Sequence, residues 1–234
     1  MTAIIFTETI PSRGILRSPI DFLDARMREA PSSAANTGAD NITKLRNDQE
    51  NPKLAILNGR PRAAEGKIPV TLLHPIFARF AEDCESIIPT VQDNELALEL
   101  LNTMPNLFPY ENDRISAMCE VFDKFKLTIK RDGIPHTRFE VDGCLTGANK
   151  SFFLIMEGKN EMSTSKSEPY FELCFYYVEA NREYFQKNFE SNSRRPCLLM
   201  IITGKYVADI YFAFNLCPKD PISASLAPFG KTSQ

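Results

Sequence analysis

The feature that most constrains the fold is a change in the spacing of apolar residues at about Phe125. Before this point apolar residues recur every three or four positions, which is the repeat of a helix buried on one face. After it they alternate, and Ser151 to Met156 is a short apolar run typical of a buried strand. The sequence therefore predicts helices followed by a mixed core, α/β or α+β in class, whose sheet is flanked by helices.

The individual elements follow from the same spacing and from capping residues. Three helices are predicted. The first contains Leu73 to Phe80, the second begins near Gln92, and the third runs from Glu111 to Phe125. Three strands follow, around 127–129, 138–141 and 151–156, and a final pair covers 196–203 and 206–214 with a tight turn at Gly204-Lys205. Between them, Ser167 is the predicted N-cap of a long helix that ends near Phe189.

Composition divides the chain into four parts. From Pro31 to about Lys67 it is rich in Ser, Ala, Asn and Pro, with too few apolar residues to offset the entropy of ordering, which predicts a flexible linker. Residues 67–113 hold two Lys or Arg against eight Asp or Glu, so the helices before the core are acidic. The predicted parts are an N-terminal arm and linker (1–66), an acidic helical subdomain (67–110), the core (111–217) and a loose tail (218–234).

Composition also excludes several classes of protein and site. The longest apolar run, Cys197 to Ile202, is too short to cross a bilayer, and the N-terminus lacks a signal-peptide pattern, so we expect an intracellular protein of the nucleus or cytoplasm with no membrane contact. The six cysteines are scattered singly, which predicts buried free thiols and not a zinc site. With only His74 and His136 present, an enzymatic site would have to use carboxylates and lysines.

The candidate site is formed by Asp142, at the end of the second core strand, and Glu157-Gly158-Lys159, at the end of the third. If these strands are neighbours, two carboxylates and the intervening Gly158 carbonyl could hold a divalent cation with the lysine beside it. Phosphodiester hydrolysis requires such an arrangement. The alternative is a solvent-exposed pair of Glu157 and Lys159 on a strand end, with Asp142 as an ordinary turn residue.

These residues, in this order of elements, resemble the PD-(D/E)XK, or restriction-endonuclease-like, superfamily. Its core is a helix, three strands, a helix and a fourth strand, and residues 111–214 follow that order. Leu73-His74-Pro75-Ile76-Phe77 and the helix from Glu168-Pro169 further resemble a fungal group of crinkler-like and kinase-associated proteins. The resemblance spans about residues 67–216.

The resemblance implies a role for each matching residue. Asp142 and Glu157 would be catalytic metal ligands for Mg²⁺ or Mn²⁺ together with Gly158, Lys159 would be the catalytic lysine, and Glu120 would add a further carboxylate to the metal site. The chain departs from the pattern in two places. Val141 stands where the superfamily name has Pro, and Glu172, followed by Tyr176, stands where the fungal group often has Gln.

The function that the resemblance implies is a divalent-metal-dependent nuclease whose partner is nucleic acid, with DNA favoured over RNA. The alternative is a catalytically inactive recognition or regulatory module that binds a protein partner, nucleic acid or a kinase domain. A third class, a secreted effector acting in the nucleus of another cell, is disfavoured by the missing signal peptide.

Overall fold

The computed structural model describes residues 19–39, 41–51, 53–56, 74–148, 150–160, 166–188, 195–204, 206–213 and 224–226. Some predictions lie outside the described residues. They are those that fall on residues 1–18, on 57–73 with Leu73, on Cys217 and on most of the tail.

Seven helices and six strands lie within the described ranges. In chain order they are α1 (Pro19–Ala25), α2 (Pro31–Ala34), α3 (Asn41–Glu50), α4 (Pro75–Ser86), α5 (Val91–Thr103), α6 (Glu111–Lys124), β1 (Lys130–Gly133), β2 (Glu140–Thr146), β3 (Phe152–Lys159), α7 (Pro169–Lys187), β4 (Cys197–Thr203), β5 (Tyr206–Ala213) and β6 (Ala224–Leu226). The predicted order from the third helix to the last strand pair is confirmed. The three residues of β6, Ala224 to Leu226, pair with β5 and fall in the stretch predicted to be loose.

The strands form one mixed sheet in the order β1-β2-β3-β4-β5-β6. Neighbouring strands are antiparallel except β3 and β4, which are parallel. A parallel pair needs a crossover, and α7 provides it. The protein is thus a mixed α/β structure with helices flanking the sheet, as the change in apolar spacing predicts.

Helices cover both faces of this sheet. On one face, buried residues of α7 pack against Val141, Ile155 and Leu199 of the strands. On the other face, residues of α5 and α6 pack against Met156 and Met200. Because both faces are covered, β3 is buried along most of its length, and polar groups placed on it are shielded from water.

The strand ends differ from the prediction where the site lies. β2 continues to Thr146 and β3 to Lys159, so Asp142 and the Glu157-Gly158-Lys159 segment lie within strands and not after them. The apolar run stops at Met156, and charged residues are usually exposed, so the spacing of apolar residues ends the strand too early. The strand continues because these charged groups have polar partners: the Gly158 amide donates to Asp142, and Lys159 pairs with carboxylates.

The predicted flexible linker does not hold for residues 31–39, 41–51 and 53–56. Here the chain forms α2 and α3, and Leu45 and Ile56 are buried in the same core as α7. The Gln49 side chain accepts a hydrogen bond from the Ile56 amide (2.8 Å) and donates one to the Ile56 carbonyl (2.9 Å). A few fully buried side chains and satisfied backbone groups order a segment whose average composition is polar.

Arg182 of α7 attaches the N-terminal helices to the core. Its buried guanidinium donates hydrogen bonds to the carbonyls of Leu23 (2.8 Å) and Arg26 (3.0 Å), and pairs with Glu179 (2.6 Å). The carbonyls at the end of α1 lack partners within the helix, so Arg182 satisfies them. Glu179 also pairs with Arg28 at 3.3 Å.

We expect Arg182→Met to lower the free energy of unfolding by about 3 kcal/mol, because it leaves the Glu179 carboxylate buried without its main partner. Urea denaturation followed by circular dichroism measures the loss. The double variant Arg182→Met/Glu179→Gln removes the uncompensated charge and should regain part of the stability. A single variant as stable as the wild type would show that Arg182 does not hold the segment.

Two predictions from composition concern thiols and membranes. Cys144, Cys174 and Cys197 are buried free thiols, and burial raises the pKa of each, so they are kept neutral. Cys84 and Cys119 are free but only partly buried. Within the described residues, none of the helices combines the length and the apolar character that a membrane span requires.

Candidate active site

The pairing of β2 with β3 brings the two halves of the sequence motif together. Gly143 pairs with Met156 in antiparallel register, and the residues that flank this pair, Asp142 and Glu157, each place a carboxylate oxygen within 4.8 Å of the other. Asp142 Oδ2 accepts a hydrogen bond from the Gly158 amide at 3.0 Å, which fixes the carboxylate against β3. The expected convergence of these strands is therefore present in the structure.

Gly158 allows α6 to approach the site. A Cβ atom at this position would lie 2.7 Å from Cγ1 of Ile115, closer than carbon atoms approach without displacement. The missing side chain lets Ile115 of α6 pack directly on the strand between the two charged residues Glu157 and Lys159. As a result Glu111, the first residue of α6, reaches the site.

Three carboxylates form the acidic cluster: Glu111, Asp142 and Glu157. One oxygen of each lies within 4.8 Å of the others, a spacing that could hold a metal ion. The sequence prediction named Glu120 for the α6 carboxylate, but Glu120 is exposed and outside this cluster. Glu120 follows Glu111 by nine positions, which is two and a half helical turns, so the two side chains leave opposite faces of α6.

Lys159 lies beside the cluster with its side chain only 7% exposed. Glu157 and Lys159 leave the same face of β3, two residues apart, and their side chains are in direct contact. The ammonium group also lies 3.5 Å from Glu111 and 3.4 Å from Glu172 of α7. Burial lowers the pKa of Lys159, but the surrounding carboxylates outweigh it and raise the pKa above the usual value, so the group stays protonated.

The carboxylates of the cluster are electrostatically unfavourable to one another. Burial raises the pKa of Glu111 and of Asp142. Burial, then the charges of Asp142 and Glu172, raise the pKa of Glu157 well above its usual value. Four neighbouring carboxylates face two cations, Lys159 and Arg131. The site therefore has an excess of negative charge that a bound cation would offset.

Arg114 fixes the end of β3 behind the site. Its buried side chain donates hydrogen bonds of 2.6 Å to the carbonyls of Met104 and Gly204 and one of 3.1 Å to the Asn160 side chain. The Gly204 amide in turn donates to the carbonyl of Lys159 at 3.1 Å. Arg114 thus holds α5, β3 and the β4–β5 turn in one position, which fixes the backbone that carries Lys159.

Arg131 of β1 lies at the exposed side of the cluster. Its guanidinium contacts Asp142 at 3.3 Å and Asn112 at 2.7 Å, and its side chain is 42% exposed. Arg131 stands outside the motif of Asp142 and Glu157-Gly158-Lys159, so the motif does not assign it to the site. Glu111 was also missed, although an acidic residue at the start of a predicted helix was a signal that could have found it.

Glu172 and Tyr176 of α7 complete the surroundings of the cluster. Glu172 is 4% exposed in its side chain and accepts a 2.6 Å hydrogen bond from the Ser167 hydroxyl. Burial raises the pKa of Tyr176, and the charges of Glu157 and Glu172 raise it further, so the phenol remains protonated. The residue that stands in place of the expected Gln is thus an acid in contact with Lys159.

Comparisons with protein-family models, with curated proteins and with solved structures found no match for this chain.

Proposed function

We propose that this protein is a divalent-metal-dependent nuclease with a restriction-endonuclease-like core, which hydrolyses phosphodiester bonds in DNA, with RNA as the second candidate substrate. The observation that supports this most strongly is the cluster of Glu111, Asp142 and Glu157 around one point, with the buried ammonium group of Lys159 beside it. In a purely structural role these residues would only lower the stability of the protein, because buried like charges oppose folding.

The donor set fits Mg²⁺ or Mn²⁺. Carboxylate oxygens are the ligands these hard cations prefer, and the excess negative charge favours a divalent ion. Asp142, Glu157 and Glu111 would hold it, and the Gly158 carbonyl remains a proposed further ligand. A bound cation would lower the pKa of a coordinated water and neutralise charge on the phosphoryl oxygens.

Each protein group has a separate role in this proposal. Lys159, kept protonated by its neighbours, donates hydrogen bonds to the phosphoryl oxygen on which charge develops, in an environment that water does not screen. Glu172, whose Oε2 lies 3.4 Å from Lys159 Nζ, holds the ammonium group in place. Arg131, exposed at the mouth of the site, offers its guanidinium to a backbone phosphate of the substrate.

One observation favours the alternative of a catalytically inactive module that binds nucleic acid, a protein partner or a kinase domain. Lys159 is already paired with three carboxylates, Glu111, Glu157 and Glu172, so part of the negative charge of the site is compensated without any ligand. In this alternative the nuclease-like core is a rigid scaffold and its exposed surface carries the function.

Cleavage of labelled single- and double-stranded DNA and RNA, with Mg²⁺ or Mn²⁺ and with EDTA, separates the two functions. We expect metal-dependent cleavage that falls at least about 100-fold in Asp142→Asn, because this variant weakens the metal site. Glu120→Gln is the matched control, since Glu120 is an exposed acid of α6 outside the cluster, and it should cleave like the wild type. Cleavage that survives EDTA or Asp142→Asn would contradict the proposed site, and folded protein that cleaves none of the substrates would favour the binding module.

A further inference from the structure

Ser167 does not have the role that its position before a helix predicts. The N-cap of α7 is Glu168, whose carboxylate accepts a 2.9 Å hydrogen bond from the Phe171 amide. The Ser167 hydroxyl points instead toward the site and donates a 2.6 Å hydrogen bond to Oε2 of Glu172. The residue predicted as a cap is therefore a direct partner of a buried carboxylate.

The oxygen that Ser167 contacts is the one that faces Lys159. Glu172 Oε2 lies 3.4 Å from Lys159 Nζ and 2.6 Å from Ser167 Oγ. A hydroxyl donor restricts where this oxygen can lie, and a carboxylate so fixed gives the ammonium one defined position. Ser167, Glu172 and Lys159 thus form a continuous chain of contacts that ends at the acidic cluster.

Residues 35–37 of the N-terminal segment hold Ser167 in place. The Glu168 amide donates to the carbonyl of Ala35 at 2.9 Å, and the Thr37 amide donates to the carbonyl of Lys166 at 2.6 Å. Between them, Asn36 and Ser167 form an antiparallel bridge. The backbone on both sides of Ser167 is therefore paired with one short segment that precedes the core in the chain.

We propose that Ser167 is a positioning residue of the active site, which fixes Glu172 and through it the ammonium group of Lys159, and that residues 35–37 belong to the catalytic unit because they fix Ser167. This inference rests on the proposed nuclease function for its kinetic consequence only. The structural part, that Ser167 determines the environment of Lys159, stands independently of catalysis.

The kinetic test compares Ser167→Ala with Ser167→Thr, which keeps the hydroxyl. Loss of a hydrogen bond to a buried charged group is expected to lower kcat about tenfold in Ser167→Ala. KM for the nucleic acid should stay unchanged, since Ser167 is not proposed to contact substrate, and Ser167→Thr should restore kcat to within about twofold. In a Glu172→Gln background, Ser167→Ala should have no further effect, because the two residues act as one unit.

A second measurement does not need activity. In protein labelled with ¹⁵N-lysine, the buried Lys159 ammonium should give an NMR signal protected from exchange, assigned by its loss in Lys159→Met. We expect the signal to shift or broaden in Ser167→Ala and in Glu172→Gln, and to be retained in Ser167→Thr.

The kinetic and NMR measurements together distinguish failure of the positioning role from failure of the nuclease function. A moved Lys159 signal in a protein that cleaves nothing would support the positioning role and overturn the nuclease function. An unchanged signal and unchanged kcat in Ser167→Ala, with an unchanged melting temperature, would overturn the positioning role. If Ser167→Ala fails to fold, Glu172→Gln decides the question by the same signal, since an unmoved Lys159 there breaks the proposed chain of contacts.

Discussion

Replacing Lys159 with methionine is expected to lower kcat for cleavage about 10²- to 10³-fold while divalent-cation binding is retained. Methionine keeps an unbranched side chain in the buried position but removes the ammonium group. The loss corresponds to removing one preorganised donor that faces the developing negative charge. The metal ligands proposed here, Glu111, Asp142 and Glu157, are all present in this variant.

The same variant should bind Mn²⁺ more tightly than the wild type. In the wild type, Lys159 contacts Glu157 and lies 3.5 Å from Glu111, so its charge opposes that of an incoming cation. Removing it increases the negative charge of the cluster, which favours the metal and destabilises the metal-free protein. Isothermal titration calorimetry and single-turnover cleavage, run on one preparation, measure the two effects.

Lys124→Met is the matched control, because Lys124 is an exposed lysine of α6 that pairs with Glu99 away from the site. It should match the wild type in both measurements, since exposed ion pairs contribute little. Cleavage by Lys159→Met at the wild-type rate would remove the lysine from the mechanism. Loss of metal binding in Lys159→Met would mean that the variant has disturbed the cluster itself.

The sequence predicts the core of this fold because apolar spacing records which side of each element is buried. The change of period at Phe125 locates the boundary between helices and sheet, and the confirmed β2–β3 pairing then brings Asp142 to Glu157. The same pattern cannot give the rotation of α6 about its axis relative to the strands. Glu111 and Glu120 are both polar positions of one amphipathic helix, and only the packing at Gly158 determines which one reaches the site.

The N-terminal segment was missed for a different reason. Its attachment depends on hydrogen bonds to backbone groups, such as those of Arg182 to Leu23 and Arg26, and on the bridge of Asn36 to Ser167. Backbone partners leave no pattern in side-chain composition. Ser167 was likewise predicted as a helix cap. Its hydroxyl donates instead to Glu172, and the neighbouring Glu168 is the N-cap.

The second large effect is expected for Glu157→Gln, which should stabilise the metal-free protein and abolish its stabilisation by metal. Burial and the charges of Asp142 and Glu172 hold the pKa of Glu157 well above its usual value, so the ionised form opposes folding at neutral pH. A neutral amide of the same shape removes this cost, and such a change at a functional site is worth about 1 kcal/mol. Cleavage should be lost, because the amide is a poor metal ligand.

The raised pKa of Glu157 determines the direction in which stability changes with pH. A carboxyl group whose pKa is higher in the folded than in the unfolded protein binds more protons when folded, so stability falls as pH rises from the usual pKa through the folded one. In EDTA, the wild type should therefore lose stability relative to Glu157→Gln as pH is raised from 5 to 8. Glu111 and Asp142 also have raised pKa values, so part of the dependence should survive in the variant.

Thermal unfolding at pH 5, 6, 7 and 8 measures the pH dependence of stability in EDTA and the stabilisation by metal in Mn²⁺ at about 100 times its Kd. Metal should stabilise the wild type by about 2.7 kcal/mol at that concentration and stabilise Glu157→Gln far less. Glu120→Gln removes an exposed carboxylate of α6 outside the cluster and should behave like the wild type throughout. If Glu157→Gln were instead destabilised in EDTA, its contact with Lys159 would outweigh the repulsion within the cluster, and the four carboxylates would be a structural ion-pair network. Stabilisation without metal together with loss of the metal response would mean that the cluster sacrifices folding stability for cation binding, which is the behaviour of a functional metal site.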